Sequence, residues 1–487
     1  MPRNEAFLKI ADSLKPRLYS RVVRPQGGDY SLGTPLARGD TVTFDFGTHL
    51  VGYVALCFGF QGFHPDAPAW LQLRFAEREY ELQEDIDSYK GTISKSWIQT
   101  EQLHVDVIPS RMELPRRYAF RYLQLKVLDT SARFRLTIDD IVCTAVTSAD
   151  DAGLLPYEAE PRLKALDAAA CLTLRECMQD VFEDGPKRDR RLWMGDLRMQ
   201  ALANYETYRN YDLVKRCLYL FAGDTLEGGL VGGCLFTAPE VRVDYSIMFD
   251  YPLFFIPTLL DYYKASGDSD TLRELAPTAF RQLELLEKCF DSDDLAMDTD
   301  ILGWCFVDWA DGLNKQASAQ GIYLYCLKAA TEMAEILEEE VLAETFRDRY
   351  ARRKAAAELL WDEDSGFYIS GSGRQVSWAS QVWMTLGGAE HADAALLARL
   401  KGTDAVRMVT PYMYHNYVDA LLTAGAREEA FRCLTEYWGG MLDQGADTFW
   451  ELYDPENPDV SPYGGTIINS YCHAWSCAPA YFLRKYF

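Results

Sequence analysis

Three short segments of this 487-residue chain concentrate side chains able to do acid–base chemistry. The first runs Glu183-Asp-Gly-Pro-Lys-Arg-Asp-Arg-Arg-Leu-Trp-Met-Gly-Asp196, with four carboxylates, four cations and a tryptophan in 14 residues. The second is Gly445-Ala-Asp-Thr-Phe-Trp-Glu-Leu-Tyr-Asp454. The third is Asn469-Ser-Tyr-Cys-His-Ala-Trp-Ser-Cys-Ala-Pro-Ala-Tyr481. Carboxyl pairs suit glycosidic bond cleavage: one protonates the leaving oxygen, and the other activates water or attacks the anomeric carbon. The cations beside Asp189 favour its ionised form. Burial and the neighbouring Glu183, Asp184 and Asp196 favour the protonated form a general acid needs. The sequence leaves open which influence wins, and a solvated, salt-bridged loop is the plain alternative.

The elements that carry these loops change character near residue 150. Leu123, Leu125 and Val127 alternate with Gln124 and Lys126, the period of a half-buried strand. Thr41-Val-Thr-Phe-Asp-Phe-Gly and Phe134-Arg-Leu-Thr-Ile read likewise, so residues 1–150 are predicted to form an antiparallel β-sandwich. After Pro161 the period becomes helical: Leu163, Leu166, Ala170, Leu174, Cys177 and Val181 share one face. Further helices are predicted at about 198–222, 246–265, 271–290, 316–338, 341–361, 378–386, 411–424, 427–440 and 470–485. With no short repeat visible, these helices over residues 151–487 predict a closed α/α toroid rather than a solenoid. The three loops would then meet on one rim of it.

Composition narrows the function classes. Asp and Glu number 73 against 49 Lys and Arg, a formal charge of −24 that repels phosphate backbones and anionic membranes. Nucleic-acid and membrane partners are therefore not expected. Aromatic residues make up 13% of the chain; most must pack the core, and the rest suit a cleft that stacks sugars. The 12 cysteines form no CxxC pair and several lie in apolar helical runs, so reduced thiols are expected. No cluster has metal-ligand spacing, and neither a metal nor another cofactor is expected. The N-terminus lacks an apolar leader core, which predicts a cytoplasmic chain or one whose leader has been removed. The oligomeric state is left open.

Asp184–Asp196 looks like the signature loop of the α-L-rhamnosidases of glycoside hydrolase family 78. Gly445-Ala-Asp-Thr-Phe-Trp-Glu451, Ser470-Tyr-Cys-His-Ala-Trp-Ser476 and the strand Arg117-Tyr-Ala-Phe-Arg-Tyr122 resemble further stretches of the same family. The resemblance implies an N-terminal β-sandwich followed by an (α/α)6 barrel. It also implies inverting hydrolysis of a terminal α-L-rhamnoside in a glycoside, oligosaccharide or polysaccharide. By the resemblance, Asp189 matches the general acid and Glu451 the general base. Asp184, Arg188, Trp193 and Asp196 match groups around the bound sugar, and His473 a histidine that hydrogen-bonds it. Asp244, Trp309 and Trp450 match further pocket positions; for the two tryptophans a core role fits the residue type equally well.

Two positions depart from the family pattern. Asp189 stands where Glu is usual, and Asp447 where Thr is expected. Two other functions remain compatible with the residues. One is a toroidal polysaccharide lyase drawing on Tyr412, Tyr414, His415 and the Arg188–Arg191 cluster. The other is a non-catalytic sugar binder, which the shortened acid would permit.

Overall fold

The computed structural model describes residues 3–298, 304–457 and 459–487. Its N-terminal part is antiparallel sheet. The strands are β1 (Tyr19–Val23), β2 (Gly27–Gly28), β3 (Thr41–Gly62), β4 (Ala69–Ala76), β5 (Thr100–Val105), β6 (Ser110–Glu113), β7 (Tyr118–Asp129) and β8 (Phe134–Thr147). They run in the order β1-β8-β3-β7-β4-β5, with β2 and β6 also paired to β3. Strand β3 changes partners along its length. Its first half pairs with β7 and its second with β8 and β6, and the register shifts between Asp45 and Leu50. Gly47 in that break has φ +80°, a conformation open to glycine without strain. Phe44, Phe46, Leu56, Phe58, Leu73, Phe120 and Leu125 are buried in one core between these strands.

The C-terminal part is a ring of helix pairs. Its inner helices are α3 (Met194–Glu206), α5 (Asp250–Ser266), α7 (Gln316–Ile336), α9 (Trp378–Gly387), α11 (Pro411–Thr423) and α14 (Ala478–Tyr486). Each packs on the next, and α14 returns to α3. The seam between α11 and α14 closes where His415 meets Phe482, with ring centroids 4.8 Å apart. The outer partners are α4 (Tyr211–Gly223), α6 (Ser269–Leu286), α8 (Glu340–Ala357), α10 (Ala394–Arg399), α12 (Arg427–Cys433) and, against α14, α2 (Pro161–Cys177). Inner helices are buried along most of their length; in α3 every residue from Met194 to Tyr205 is buried, Asp196, Arg198 and Gln200 included. Outer helices keep a polar face.

Several predicted boundaries move. The run expected at 198–222 is two helices, broken at Thr207–Asn210, where Arg209 takes φ 54° and the Asn210 side chain caps α4. The helix expected at 470–485 starts only at Ala478, because residues 469–477 are drawn into the site described below. Near the N-terminus, residues predicted as part of the sheet domain include helix α1 (Glu5–Ser13), which packs on α4 of the ring and buries Leu8 in the ring's core. All 12 cysteines are free thiols. Among the described residues, no helix is long and apolar enough to cross a membrane, and no group of three metal-ligating side chains converges.

Candidate active site

The three charged or aromatic loops meet through their backbones. Glu451 N–H donates to the Ser470 carbonyl at 3.0 Å, and His473 N–H to the Phe449 carbonyl at 2.9 Å. The Trp475 indole donates to the Glu451 carbonyl at 2.9 Å. The first loop joins where Ala474 N–H donates to the Asp184 carbonyl at 2.9 Å. That loop is itself closed at its base. Asp184 N–H donates to the Arg191 carbonyl at 3.0 Å, and Arg191 N–H donates to Asp184 Oδ1 at 3.0 Å. At its tip Asp189 and Arg190 both adopt left-handed backbone, φ 61° and 55°. Asp is among the few side chains that tolerate this region; two such residues in succession still store strain, which clusters at functional sites.

Together the loops wall a cavity of about 270 Å³ at the end of the ring. Asp184, Arg188, Asp189, Trp193, Asp196, Trp309, Glu451 and His473 all line it. Asp184, Arg188, Asp196, Glu451 and His473 are buried and form its floor, while Asp189, Trp193 and Trp309 are part-exposed. Trp309 is held from behind. Asp308 accepts hydrogen bonds from the amides of Trp309, Val409 and Thr410 at 2.9–3.0 Å, and burial pushes its carboxyl up to about 6. Asp250 likewise accepts from the amides of Phe306 and Val307 at 2.9 and 3.0 Å, fixing Phe306 in the wall.

Charge in the cavity is unevenly held. Arg188 forms an ion pair with Glu451 Oε2, its guanidinium lying 4.2 Å from the Tyr463 ring centroid. The Tyr463 hydroxyl donates to Glu451 Oε1 at 2.6 Å. Asp189 is raised above the ordinary carboxylate range: burial outweighs the pull of Arg188 and Arg191, and Glu451 adds to the rise. Of the influences weighed in the sequence, burial is therefore the larger, and it shifts Asp189 toward its protonated form. Asp184 and Asp196 are raised well above that range, first by burial, then for Asp184 by the charges of Asp189 and Asp196 and for Asp196 by those of Glu451 and Asp189. His473 is held neutral by burial and by Arg188. Its Nδ1 lies 3.7 Å from Asp196 Oδ1, and neither atom has a hydrogen-bond partner; Trp309 Nε1 lacks one too. Buried polar atoms without partners are rare, and here three belong to residues that line one cavity.

Two of the expected pocket residues lie elsewhere. Asp244 is half-buried in a turn and accepts from Ser246 N–H at 3.1 Å. Trp450 is buried against Tyr453 and Tyr471, with the Arg78 guanidinium 5.1 Å from its ring centroid, on the side that meets the sheet domain. The alternate pair Tyr414 and His415 also sits away from the cavity. Tyr414 stacks on Tyr437, and His415 is a core residue whose two ring nitrogens are unpartnered and which burial keeps uncharged. Asp447, the departure from Thr, accepts from His49 N–H at 2.8 Å and pairs with Arg121 at 3.6 Å, tying the second loop to the sheet.

Sequence reasoning missed Tyr251, Phe306, Tyr463 and Trp475, and it missed the sheet domain's share. Ile93 and Trp97 also line the cavity. Behind them, Lys187 is buried between the domains, paired with Glu81 and donating to the carbonyls of Asn469 and Ile467 at 2.8 and 3.3 Å. Glu77 accepts from Tyr471 N–H at 2.6 Å and from the His49 ring at 3.0 Å. Arg117, just before β7, holds both oxygens of Glu183, at 2.8 and 2.6 Å.

Comparison with known proteins places this architecture. The model of the glycosyl hydrolase family 78 alpha-rhamnosidase N-terminal domain matches residues 18–145, and that of the bacterial alpha-L-rhamnosidase 6 hairpin glycosidase domain matches residues 158–487. The chain belongs to glycoside hydrolase family 78, the α-L-rhamnosidases. A rhamnosidase from Klebsiella oxytoca, solved with rhamnose bound, is 46% identical, covers 99% of both chains and superposes with a TM-score of 0.95. The family 78 rhamnosidase of Bacillus sp. GL1 shares the fold at 23% identity and TM-score 0.77, over 91% of this chain and 46% of that one. An α-L-rhamnosidase from Streptomyces avermitilis shares it at 18% and 0.71, over 96% and 44%. Comparison with curated protein sequences yields no relative. Membership of family 78 makes this a glycoside hydrolase with a sheet domain and a six-hairpin ring, and it retires the lyase alternative.

Proposed function

We propose that the enzyme removes a terminal α-L-rhamnose by single displacement, with Asp189 as general acid and Glu451 as general base. The observation that carries this reading is that the two carboxyls line one cavity in different surroundings. Asp189 is held toward the neutral form, while Glu451 faces two donors, Arg188 and Tyr463. Asp189 gives its proton to the glycosidic oxygen as that bond breaks. Glu451 takes a proton from the water that attacks the anomeric carbon from the other face, so the configuration inverts.

The cavity's size supports removal of one sugar at a time. At about 270 Å³ it lies below the roughly 300–1,000 Å³ of drug-sized ligand pockets, and it ends on a buried floor. On that floor, Asp196 Oδ1 and His473 Nδ1 would exchange hydrogen bonds with sugar hydroxyls, and Trp309 Nε1 would donate another. The similarity to a rhamnosidase solved with rhamnose bound, over nearly the whole chain, supports rhamnose as that sugar. The test is proton NMR of the first turnovers on an aryl α-L-rhamnoside. Early appearance of the inverted anomer supports the reading. A retained anomer sinks it, and so does turnover that persists undiminished in Asp189→Asn.

A further inference from the structure

The cavity is built in two tiers. Its buried part holds the carboxyls of Asp184, Asp196 and Glu451, whereas the side chains around its mouth are part-exposed and largely apolar: Ile93, Trp97, Trp304 and Trp309, with Asp189 and Arg191 among them. Trp304 is 38% exposed, which leaves part of its ring open at the mouth. Cations are scarce at this level. Among the described residues lining the cavity, Arg188 is committed to Glu451 on the floor, and Arg191 lies over the Phe236 ring, 4.4 Å from its centroid.

We infer that the sheet domain receives the leaving group: Ile93 and Trp97, with Trp304 of the ring, form a subsite for an uncharged aglycone with a flat apolar face. The inference rests on Asp189 being the acid. A proton donor touches the glycosidic oxygen, so an acid at the mouth puts the sugar inward and the leaving group outward, among these rings. The segment bearing them is pre-set rather than loose. Thr92 N–H and the Tyr89 hydroxyl both donate to the Tyr463 carbonyl at 3.0 Å, while Tyr463 holds Glu451. Ile93 and Trp97 also pack on the cross-domain apolar cluster of Tyr89, Ile98, Ile467 and Ile468. Such a surface gains by stacking a ring, and the chain's net charge of −24 disfavours a carboxylate-bearing sugar.

The experiment compares kcat/KM on two substrates with the same glycone: 4-methylumbelliferyl α-L-rhamnoside, whose aglycone is a flat bicycle, and α-L-rhamnosyl fluoride, which has no aglycone ring. In Trp97→Ala the ratio of the first to the second should fall about 10-fold or more, the scale of one lost aromatic contact. Trp304→Ala, in the other domain, should lower the same ratio should Trp97→Ala fold poorly. Two rhamnosyl disaccharides, one ending in glucose and one in galacturonate, distinguish the sources of a flat face. A ratio that falls for the umbelliferone, for the glucoside or for both supports the subsite. An unchanged ratio in both variants overturns it, as does wild-type preference for the galacturonate. Wild-type turnover of the fluoride reports separately on the rhamnose reading, so the two can fail independently.

Discussion

Tyr463 donates its phenol proton to Glu451 at 2.6 Å, while Arg188 occupies the other oxygen of the same carboxylate. The proposed base is therefore oriented from two sides before substrate arrives. Tyr463→Phe keeps the ring under Arg188 and removes only the donor. Because hydrogen bonds to charged groups are worth about 1.5–3 kcal/mol, kcat should fall about 10- to 100-fold with KM changed little. Steady-state kinetics on an aryl rhamnoside checks this; a drop confined to KM would place Tyr463 in sugar binding instead.

As the proposed general acid, Asp189 should set the alkaline limb of activity. The acid must be protonated to act and its carboxyl is raised, so kcat/KM should decline as pH rises through that raised value. Asp189→Asn should erase this limb and cost about 10²–10⁴ in rate on substrates with poor leaving groups, less on nitrophenyl glycosides. Asp189→Glu carries two penalties. The added methylene displaces the acid by about 1 Å, which can cost 10²-fold, and Glu suits the φ 61° backbone less well than Asp. An Asp189→Glu enzyme faster than wild type would mean that the site has not adapted to its shorter acid.

Asp196 should cost stability where it serves function. Its folded carboxyl is raised well above its ordinary value of 3.8, so the folded state binds a proton that the unfolded state releases. Stability from this group is full below pH 3.8 and is lost as pH rises toward the folded value. Asp196→Asn should therefore raise the melting temperature at neutral pH by about 1–2 °C, the scale of roughly 1 kcal/mol in a chain of this size. The gain should vanish near pH 4 while activity is lost. Calorimetry at the two pH values decides; equal shifts at both would rule out the charge explanation.

Arg117 and Glu183 join the domains next to the signature loop. Removing one partner of a buried pair leaves the other uncompensated, at a cost of about 3–5 kcal/mol. Arg117→Met should therefore destabilise more than the double variant Arg117→Met/Glu183→Gln. Denaturant unfolding of the set, read as a double-mutant cycle, measures the coupling; additive effects would show that the pair is not coupled.

Most of this architecture was readable because it follows from period. Alternation at Leu123–Val127 and three- to four-residue steps after Pro161 are local signals, and they placed the sheet and the ring. The break at Thr207–Asn210 was not readable, since apolar residues continue on both sides of it. In the site, motif resemblance found residues on the signature loops, yet it also led to Trp450, whose type suits a sugar platform and whose position suits the domain seam. Asp244, expected from the short Val-Asp-Tyr-Ser match, is not among the residues that line the cavity. Ile93 and Trp97 were invisible for another reason. They sit in irregular chain between strands, and only the docking of one domain on the other carries them to the cavity.

That docking has a consequence for inheritance. Lys187 is one residue from the clamp on Glu451, yet its counter-ion Glu81 belongs to the sheet. An isolated copy of residues 158–487 would expose an orphaned ammonium and a bare apolar seam beside its chemistry. The two parts can be told apart as sequence families, but a recombination that exchanged one of them would have to bring matching partners for Lys187, Tyr471 and Asp447 along with it. The sheet is thus expected to travel with the ring through gene shuffling, as cargo the catalyst cannot drop.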